Sequence, residues 1–193
     1  MNNKIDYSGE AKKYLENKYN QDFSLVEVIY PSVDIPYAEI LFQSERYPNE
    51  TIIVCRESGT FSDNYYGIMA RDVCRTKISF ILNKYFEENK FTFNFGASYF
   101  PDEATDIDKF DEYRVKYPHH FDVNVHVLVR RSDAINEELF NDVCSDFESN
   151  KYCGYIALYE ISSEEYDRLD SQNSIDQYVD DYPTIPPFNK VLK

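Results

Sequence analysis

The chain lacks tryptophan, long hydrophobic runs and clustered glycines. None of its 193 residues is Trp, and no segment approaches the roughly 20 apolar residues of a membrane-spanning helix. The N-terminal residues also lack the apolar core of a secretory signal peptide. The sequence therefore predicts a soluble, cytoplasmic protein that does not engage membranes. An exported protein is the alternative if a native signal precedes this sequence.

The scarcity of glycine excludes the common nucleotide-binding motifs. The five glycines are spread singly along the chain, so neither a phosphate-cradling P-loop nor a G-x-G-x-x-G turn can form. The G-x-S-x-G nucleophile motif and the H-E-x-x-H zinc motif are also missing. We therefore expect no bound cofactor. The sequence favours a protein that is not an enzyme, although it leaves the question open.

Cysteine is scarce as well. Cys55, Cys74, Cys144 and Cys153 form no C-x-x-C pair, which excludes the usual zinc-knuckle and redox motifs. Three of them fall at apolar positions of expected strands or helices, so we expect small buried thiols that remain free. Two disulfides are the alternative, and they would accompany an exported structural or sensory module.

The chain has an excess of acidic and aromatic side chains. Its formal net charge is -15, and its 18 Tyr and 14 Phe supply enough apolar surface for a folded core. Residues 101–182 hold 21 acidic and seven basic side chains, whereas residues 1–100 hold 14 and 11. A negative surface repels nucleic-acid phosphates and anionic membranes, so we expect neither as a partner. It favours a basic protein partner, with solubility alone as the alternative.

Hydrophobic periodicity predicts five helices and six strands. The clearest strand is 91–100, where Phe91, Phe93 and Phe95 alternate with polar side chains. Ser132 is expected to cap the fourth helix, and a capping box predicts a short fifth helix. The sequence from 171 onward is interpreted as a polar tail. The expected helices are 11–19, 63–89, 105–117, 133–148 and a short one after Ser162, and the expected strands are 24–30, 37–43, 51–56, 91–100, 121–131 and 152–161.

This order of elements predicts an α+β fold with an antiparallel/mixed sheet and helices mainly on one face. When the acidic helix 105–117 is treated as an insertion, the chain from the third strand to the last reads β-α-β-β-α-β. That is the ferredoxin-like order, and an N-terminal α-β-β extension precedes it. We expect one domain over 1–182 and a Pro-rich C-terminal tail over 183–193.

Exposed acidic residues beside aromatic residues are the candidate partner-binding residues. Carboxylates steer a cationic partner by long-range attraction, and tyrosines supply anchors at an interface. We therefore expect an immunity- or inhibitor-like module that engages a basic partner through residues 101–182. The identity of the partner and the oligomeric state are left open. The candidates are Asp106, Asp108, Asp111, Glu112, Tyr113, Asp180, Asp181 and Tyr182.

A metal-dependent or acid/base enzyme is the alternative function, and it would centre on one strand. Strand alternation places His120, Asp122 and His126 opposite the valines of 121–131. His120 and Asp122 are about 7 Å apart on such a strand, but His126 is roughly 20 Å from His120. No third ligand is evident, so we predict no metal site. The more economical interpretation is the polar outer face of a half-buried strand.

Overall fold

The computed structural model describes residues 6–31, 37–131, 135–182, 186 and 188–193. Backbone contacts divide the chain into two compact units, one of residues 1–71 with 98–110 and the other of residues 72–97 with 111–193. Two short 3-10 helices cover Ile107–Lys109 and Pro118–His120. The other elements are α1 (Ser8–Tyr19), β1 (Ser24–Ile29), β2 (Ala38–Ser44), β3 (Tyr47–Glu57), β4 (Thr60–Asp63), α2 (Tyr65–Leu82), β5 (Lys90–Phe95), α3 (Phe110–Lys116), β6 (Val123–Arg130), α4 (Glu137–Ser149), β7 (Gly154–Ile161), α5 (Ser163–Arg168), α6 (Gln172–Asp180) and β8 (Phe188–Leu192).

The first unit is built on an antiparallel sheet with the strand order β1-β2-β3-β4. Alternate residues of a strand point to the same face, and in β2 this places Ile40 and Phe42 in the core. Strand β3 contributes Ile52 and Val54 to the buried set, and α1 contributes Leu15.

A fully buried carboxylate, Asp63, lies at the end of β4. Its Oδ2 atom accepts hydrogen bonds from Lys18 Nζ and the Tyr14 hydroxyl, each at 2.9 Å. Its Oδ1 atom accepts from the Tyr19 hydroxyl at 2.7 Å and from the Tyr65 backbone N–H at 2.9 Å. Burial, reinforced by the Asp63 charge, raises the pKa of Tyr14 and of Tyr19, so both phenols stay protonated. Four donors thus stabilise a charge that is otherwise costly to bury.

The second unit is built on a mixed sheet with the strand order β5-β6-β7-β8. Strands β6 and β7 run parallel, and their connection passes through α4 because parallel neighbours need a crossover. Helix α4 covers the face that carries the β6 valines. Val127 pairs with Leu158, Leu158 pairs with Phe188, and the Phe188 ring lies 5.7 Å from that of Phe140 on α4.

The opposite face of this sheet is covered by α5 and α6. Leu128 and Tyr159 point to that face and form a buried cluster with Tyr166 of α5 and Ile175 of α6. Helices therefore lie on both faces of the second sheet.

The predicted α+β class with an antiparallel/mixed sheet is confirmed, but the arrangement differs in two details. The first strand of the ferredoxin-like segment is β3, which pairs with β2 and β4 in the first sheet and not with β5, β6 or β7. Short antiparallel connections let β2, β3 and β4 satisfy one another's backbone hydrogen bonds. The second detail is that the helices of the second sheet are not mainly on one face, because α5 and α6 pack opposite α4.

Several element boundaries also differ from the expected ones. Helix α2 ends at Leu82 and not near residue 89. Strand β5 ends at Phe95, after which the Gly96 backbone N–H donates to the Asp122 carbonyl at 2.7 Å. The cap of α4 is Asn136, whose side chain accepts from the Leu139 N–H. The expected cap, residue 132, lies outside the described residues.

One α-helix and two strands of the described residues were not expected from the sequence: α6, β4 and β8. Helix α6 begins at a Ser171 cap within the segment interpreted as a polar tail, and its Ile175 is buried. Strand β8 lies within the predicted tail 183–193 and pairs with β7, while residues 183–185 and 187 lie outside the described set. The single domain over 1–182 stays a prediction. Among the described residues, no helix is long and apolar enough to cross a membrane.

All four cysteines are free thiols, as expected from their spacing. Cys55, Cys74 and Cys144 are buried. Burial raises the pKa of Cys74 to about 12 and that of Cys144 to about 11. These two sulfurs therefore stay protonated and unreactive at neutral pH.

Candidate partner-binding surface

An imidazole and two phenol rings lie together on the face of β6 and β7 that is opposite the valines. The parallel register pairs His126 with Ala157, so Tyr155 and Tyr159 flank His126 on the same face. The His126 ring centroid is 5.8 Å from that of each tyrosine. Its Nδ1 atom and the Tyr159 hydroxyl share a hydrogen bond of 2.7 Å. The imidazole therefore has a fixed orientation on the sheet.

Two further tyrosines join this group from the end of α6. The Tyr182 ring packs edge-on against Tyr159 with centroids 4.8 Å apart, and Tyr178 lies 5.7 Å from Tyr182. Tyr159 is buried, whereas Tyr155, Tyr178 and Tyr182 are half-buried, which leaves part of each of the three rings accessible. We refer to Tyr155, Tyr159, Tyr178 and Tyr182 as the tyrosine cluster.

Two exposed carboxylates border the tyrosine cluster. Asp180 is the last residue of α6 and Asp181 is its C-cap. In the part of the chain that the structure describes, neither forms an ion pair, although Asp181 accepts a hydrogen bond from Gln177 at 2.7 Å. The C-terminus of a helix carries a partial negative charge, which favours a cation. Two carboxylates at this position therefore strengthen the local negative potential.

Burial sets the protonation of the uncharged groups on this surface. It lowers the pKa of His126, while the nearby Asp180 carboxylate acts in the opposite direction. Burial also raises the pKa of Tyr159 and of Tyr178 to about 12. At neutral pH the His126 imidazole and the phenols of Tyr159 and Tyr178 are therefore neutral.

The other acidic candidates are divided between the two units. Asp106 in the first unit caps the 3-10 helix Ile107–Lys109, where its side chain accepts from the Asp108 N–H. Asp108 itself is exposed. In the second unit, Asp111 pairs with Lys77 and Arg114. Two more candidates belong to α3 with Asp111. Glu112 is exposed, and the aromatic candidate Tyr113 is half-buried.

The three residues considered for an enzyme site lie in three different environments. His120 ends the 3-10 helix before β6 and packs edge-on against Tyr117, with ring centroids 6.4 Å apart. Asp122 directly precedes β6, and His126 belongs to the group around Tyr159. Among the described residues, no three His, Cys, Asp or Glu side chains are grouped so that they could hold a metal ion.

The structure thus brings together three residues that the sequence assigned to different functions. His126 and Tyr182 meet at Tyr159, and the charge of Asp180 acts on His126. Sequence reasoning missed Tyr155, Tyr159 and Tyr178. The alternation of tyrosines with Ile156 and Leu158 in β7 was a usable signal for the first two. For Tyr178 the signal was a serine cap followed by apolar residues at helical spacing.

Comparisons with known proteins assign no family to this chain. No family model matches it, and no curated protein matches it. The chain is similar to the crystal structure of a DUF5037 family protein from Ruminococcus gnavus, with 12% identity and a TM-score of 0.46. That similarity covers 96% of this chain and 90% of the other. A likeness at this level carries no inference about function.

Proposed function

We propose that this chain is an immunity- or inhibitor-like binding module that engages a basic protein partner through residues 101–182. The contact centres on Asp180, Asp181 and the tyrosine cluster. One observation supports this placement above the others: two exposed carboxylates lie at the helix end that disfavours negative charge, next to three accessible phenol rings.

The attraction of a basic partner follows from the position of the two carboxylates. Asp180 and Asp181 repel the partial charge of the α6 C-terminus, and a Lys or Arg side chain from a partner relieves this repulsion. The excess acidity of residues 101–182 extends the attraction beyond direct contact, which raises the association rate at low salt.

The tyrosine rings supply the affinity and the orientation of the contact with the partner. Tyrosine is enriched at interfaces because it buries a large ring while its hydroxyl finds a polar partner. Tyr155, Tyr178 and Tyr182 are held by ring contacts within the chain, so they lose little freedom on binding. A cationic side chain can pack over such a ring while it pairs with an adjacent carboxylate. Exposed Asp108 and Glu112 add to the negative field of the candidate segment.

The test compares partner capture by three forms of the chain. Wild type, Asp180→Asn/Asp181→Asn and Glu138→Gln/Asp142→Asn are immobilised and exposed to lysate of the native cells. The last variant removes the same charge from exposed positions on α4. We expect wild type and the α4 variant to retain one basic protein stoichiometrically, and high salt to release it. The Asp180/Asp181 variant should bind the purified partner at least tenfold more weakly.

Two results would contradict the proposal. One is equal recovery of the basic protein by all three forms, which would place the contact elsewhere. The other is the absence of any salt-sensitive basic protein from the wild-type column, which would reduce the acidic surface to a means of staying soluble.

A further inference from the structure

A separate cleft of about 450 Å³ lies in the second unit, beside the C-terminal half of α2. Its volume falls in the range of small-molecule sites, which run from roughly 300 to 1,000 Å³. The side chains that matter for its chemistry are Lys77, Phe80, Asp111, Arg114 and Tyr152. None of them belongs to the tyrosine cluster.

The cleft holds two cations that share one carboxylate. Lys77 Nζ lies 2.8 Å from Asp111 Oδ2, and Arg114 Nη2 lies 3.1 Å from Asp111 Oδ1. Burial opposes ionisation of Asp111, but the hydrogen bonds from Lys77 and Arg114 outweigh it and lower its pKa. These three side chains leave the cleft with a positive charge in a chain of net charge -15.

Arg114 is held in place independently of Asp111. Its guanidinium lies over the Tyr152 ring, 4.3 Å from the centroid, and donates to the Asn150 carbonyl. The Arg114 side chain is only 8% exposed, whereas that of Asp111 is 57% exposed. The cation is therefore preorganised, and the carboxylate that faces it is open to solvent.

An exposed aromatic side chain lies beside this charged pair. Phe80 is 70% exposed, which makes it the most exposed large hydrophobic residue among those described. It lines the cleft together with the buried Ile81. Exposed apolar surface next to a fixed guanidinium suits a ligand that has an apolar body and one anionic group.

We propose that this cleft binds a small carboxylate with an aromatic or aliphatic body. The ligand carboxylate bridges Lys77 and Arg114, and the body covers Phe80. Asp111 already places a carboxylate between the same two cations. It therefore marks where the ligand carboxylate binds, and it competes with the ligand for Lys77 and Arg114. A free carboxylate is favoured over a neutral molecule because charge-assisted hydrogen bonds to a nearly buried guanidinium are stronger than neutral ones.

The test uses 2-naphthoate as the probe and 2-naphthamide as its uncharged match, with affinities measured by calorimetry and binding mapped by amide chemical shifts. We expect the naphthoate to bind at least tenfold more tightly than the amide, with shifts at Lys77, Phe80 and Arg114. Asp111→Asn should tighten naphthoate binding, because it removes the competing charge. Lys77→Met should weaken it about tenfold.

Lys190→Met is the matched control for Lys77→Met. Lys190 has similar exposure and pairs with a carboxylate, that of Glu148, but it does not line the cleft. It should leave naphthoate binding unchanged. Phe80→Ala should weaken naphthoate and naphthamide equally, because it removes only the apolar contact. Equal affinity for the two probes, or a loss of naphthoate binding in Asp111→Asn, would overturn the proposal.

Discussion

Asp63 in the first unit and Asp180 in the second carry the same carboxylate in opposite environments. Asp63 is fully buried and accepts hydrogen bonds from four donors of its own chain. Asp180 is exposed at a helix C-terminus and, among the described residues, forms no ion pair. The buried charge depends on internal partners because desolvation is otherwise costly. The exposed charge forms no internal ion pair in the described part of the chain, and the proposed function assigns it an external partner. Four predictions test this contrast.

Removal of the Asp63 carboxylate should have the largest effect. Asp63→Ala leaves Lys18 buried without its nearest carboxylate, and Tyr14 and Tyr19 lose a shared acceptor. Breaking a buried pair in this way costs about 3–5 kcal/mol. Urea unfolding should show the loss. The double variant Asp63→Leu/Lys18→Met should recover part of it, because no uncompensated charge remains. A loss below about 1 kcal/mol would show that Asp63 is not the centre of this cluster.

The hydrogen bond between His126 and Tyr159 should contribute less to the free energy of unfolding than the Asp63 carboxylate does. Tyr159→Phe keeps the ring contact with Tyr182 but removes the hydroxyl that shares a hydrogen bond with His126. We expect the free energy of unfolding to fall by about 1 kcal/mol. Tyr155→Phe is the control, since Tyr155 contacts His126 through its ring alone. An equal loss in both variants would contradict a specific role for the Tyr159 hydroxyl.

The stability of the chain should also depend on pH through His126. Its pKa in the folded chain lies below the ordinary value, so the unfolded chain binds more protons as pH falls. The contribution of His126 to the free energy of unfolding is therefore full above about pH 6.5 and declines as pH drops below that value. His126→Gln should flatten this part of the profile, measured by urea unfolding at each pH.

The exposed His119 provides the control for that experiment. His119→Gln removes one histidine without touching the tyrosine cluster and should retain the decline. The same slope in wild type and His126→Gln would assign the pH dependence to another group.

Neutralisation of the exposed carboxylates should have the smallest effect on stability, and of the opposite sign. Asp180→Asn/Asp181→Asn removes two charges that repel the α6 C-terminus, so the free energy of unfolding should rise by about 0.3 kcal/mol per site at low salt, the lower end for exposed charges. The gain should disappear at high salt. Partner binding should weaken in the same variant. A loss of stability would show that the carboxylates serve the fold and not an external partner.

Local signals in the sequence predicted most elements of the second unit. Ser162 and Glu165 form a capping box at the start of α5, as expected. The alternation of β5 and β6 was equally clear, because period-two hydrophobicity requires only a sheet with one apolar face. The predicted boundary of α4 was less accurate. At the start of α4, Asn136 supplies the cap, four residues after the expected one.

The candidate site was only partly predictable. Asp180, Asp181 and Tyr182 were chosen from acidity beside an aromatic ring, and His126 was assigned to a different function. Their association depends on α6, whose polar sequence was interpreted as a tail. Only Ile175 of that helix is buried, so its core-facing signal was slight. The Asp63 cluster was also missed, because Lys18 and Asp63 are 45 residues apart.

The sequence by itself determined an acidic, aromatic-rich α+β chain, because composition and short-range periodicity act through local propensity and burial. The tertiary structure decided how the strands divide between two sheets, which faces the helices cover and which carboxylates are buried. These outcomes depend on contacts between residues far apart in the chain. The physical reason is that a charged or phenolic side chain has no fixed role until packing sets its neighbours, its exposure to water and the partners left to it.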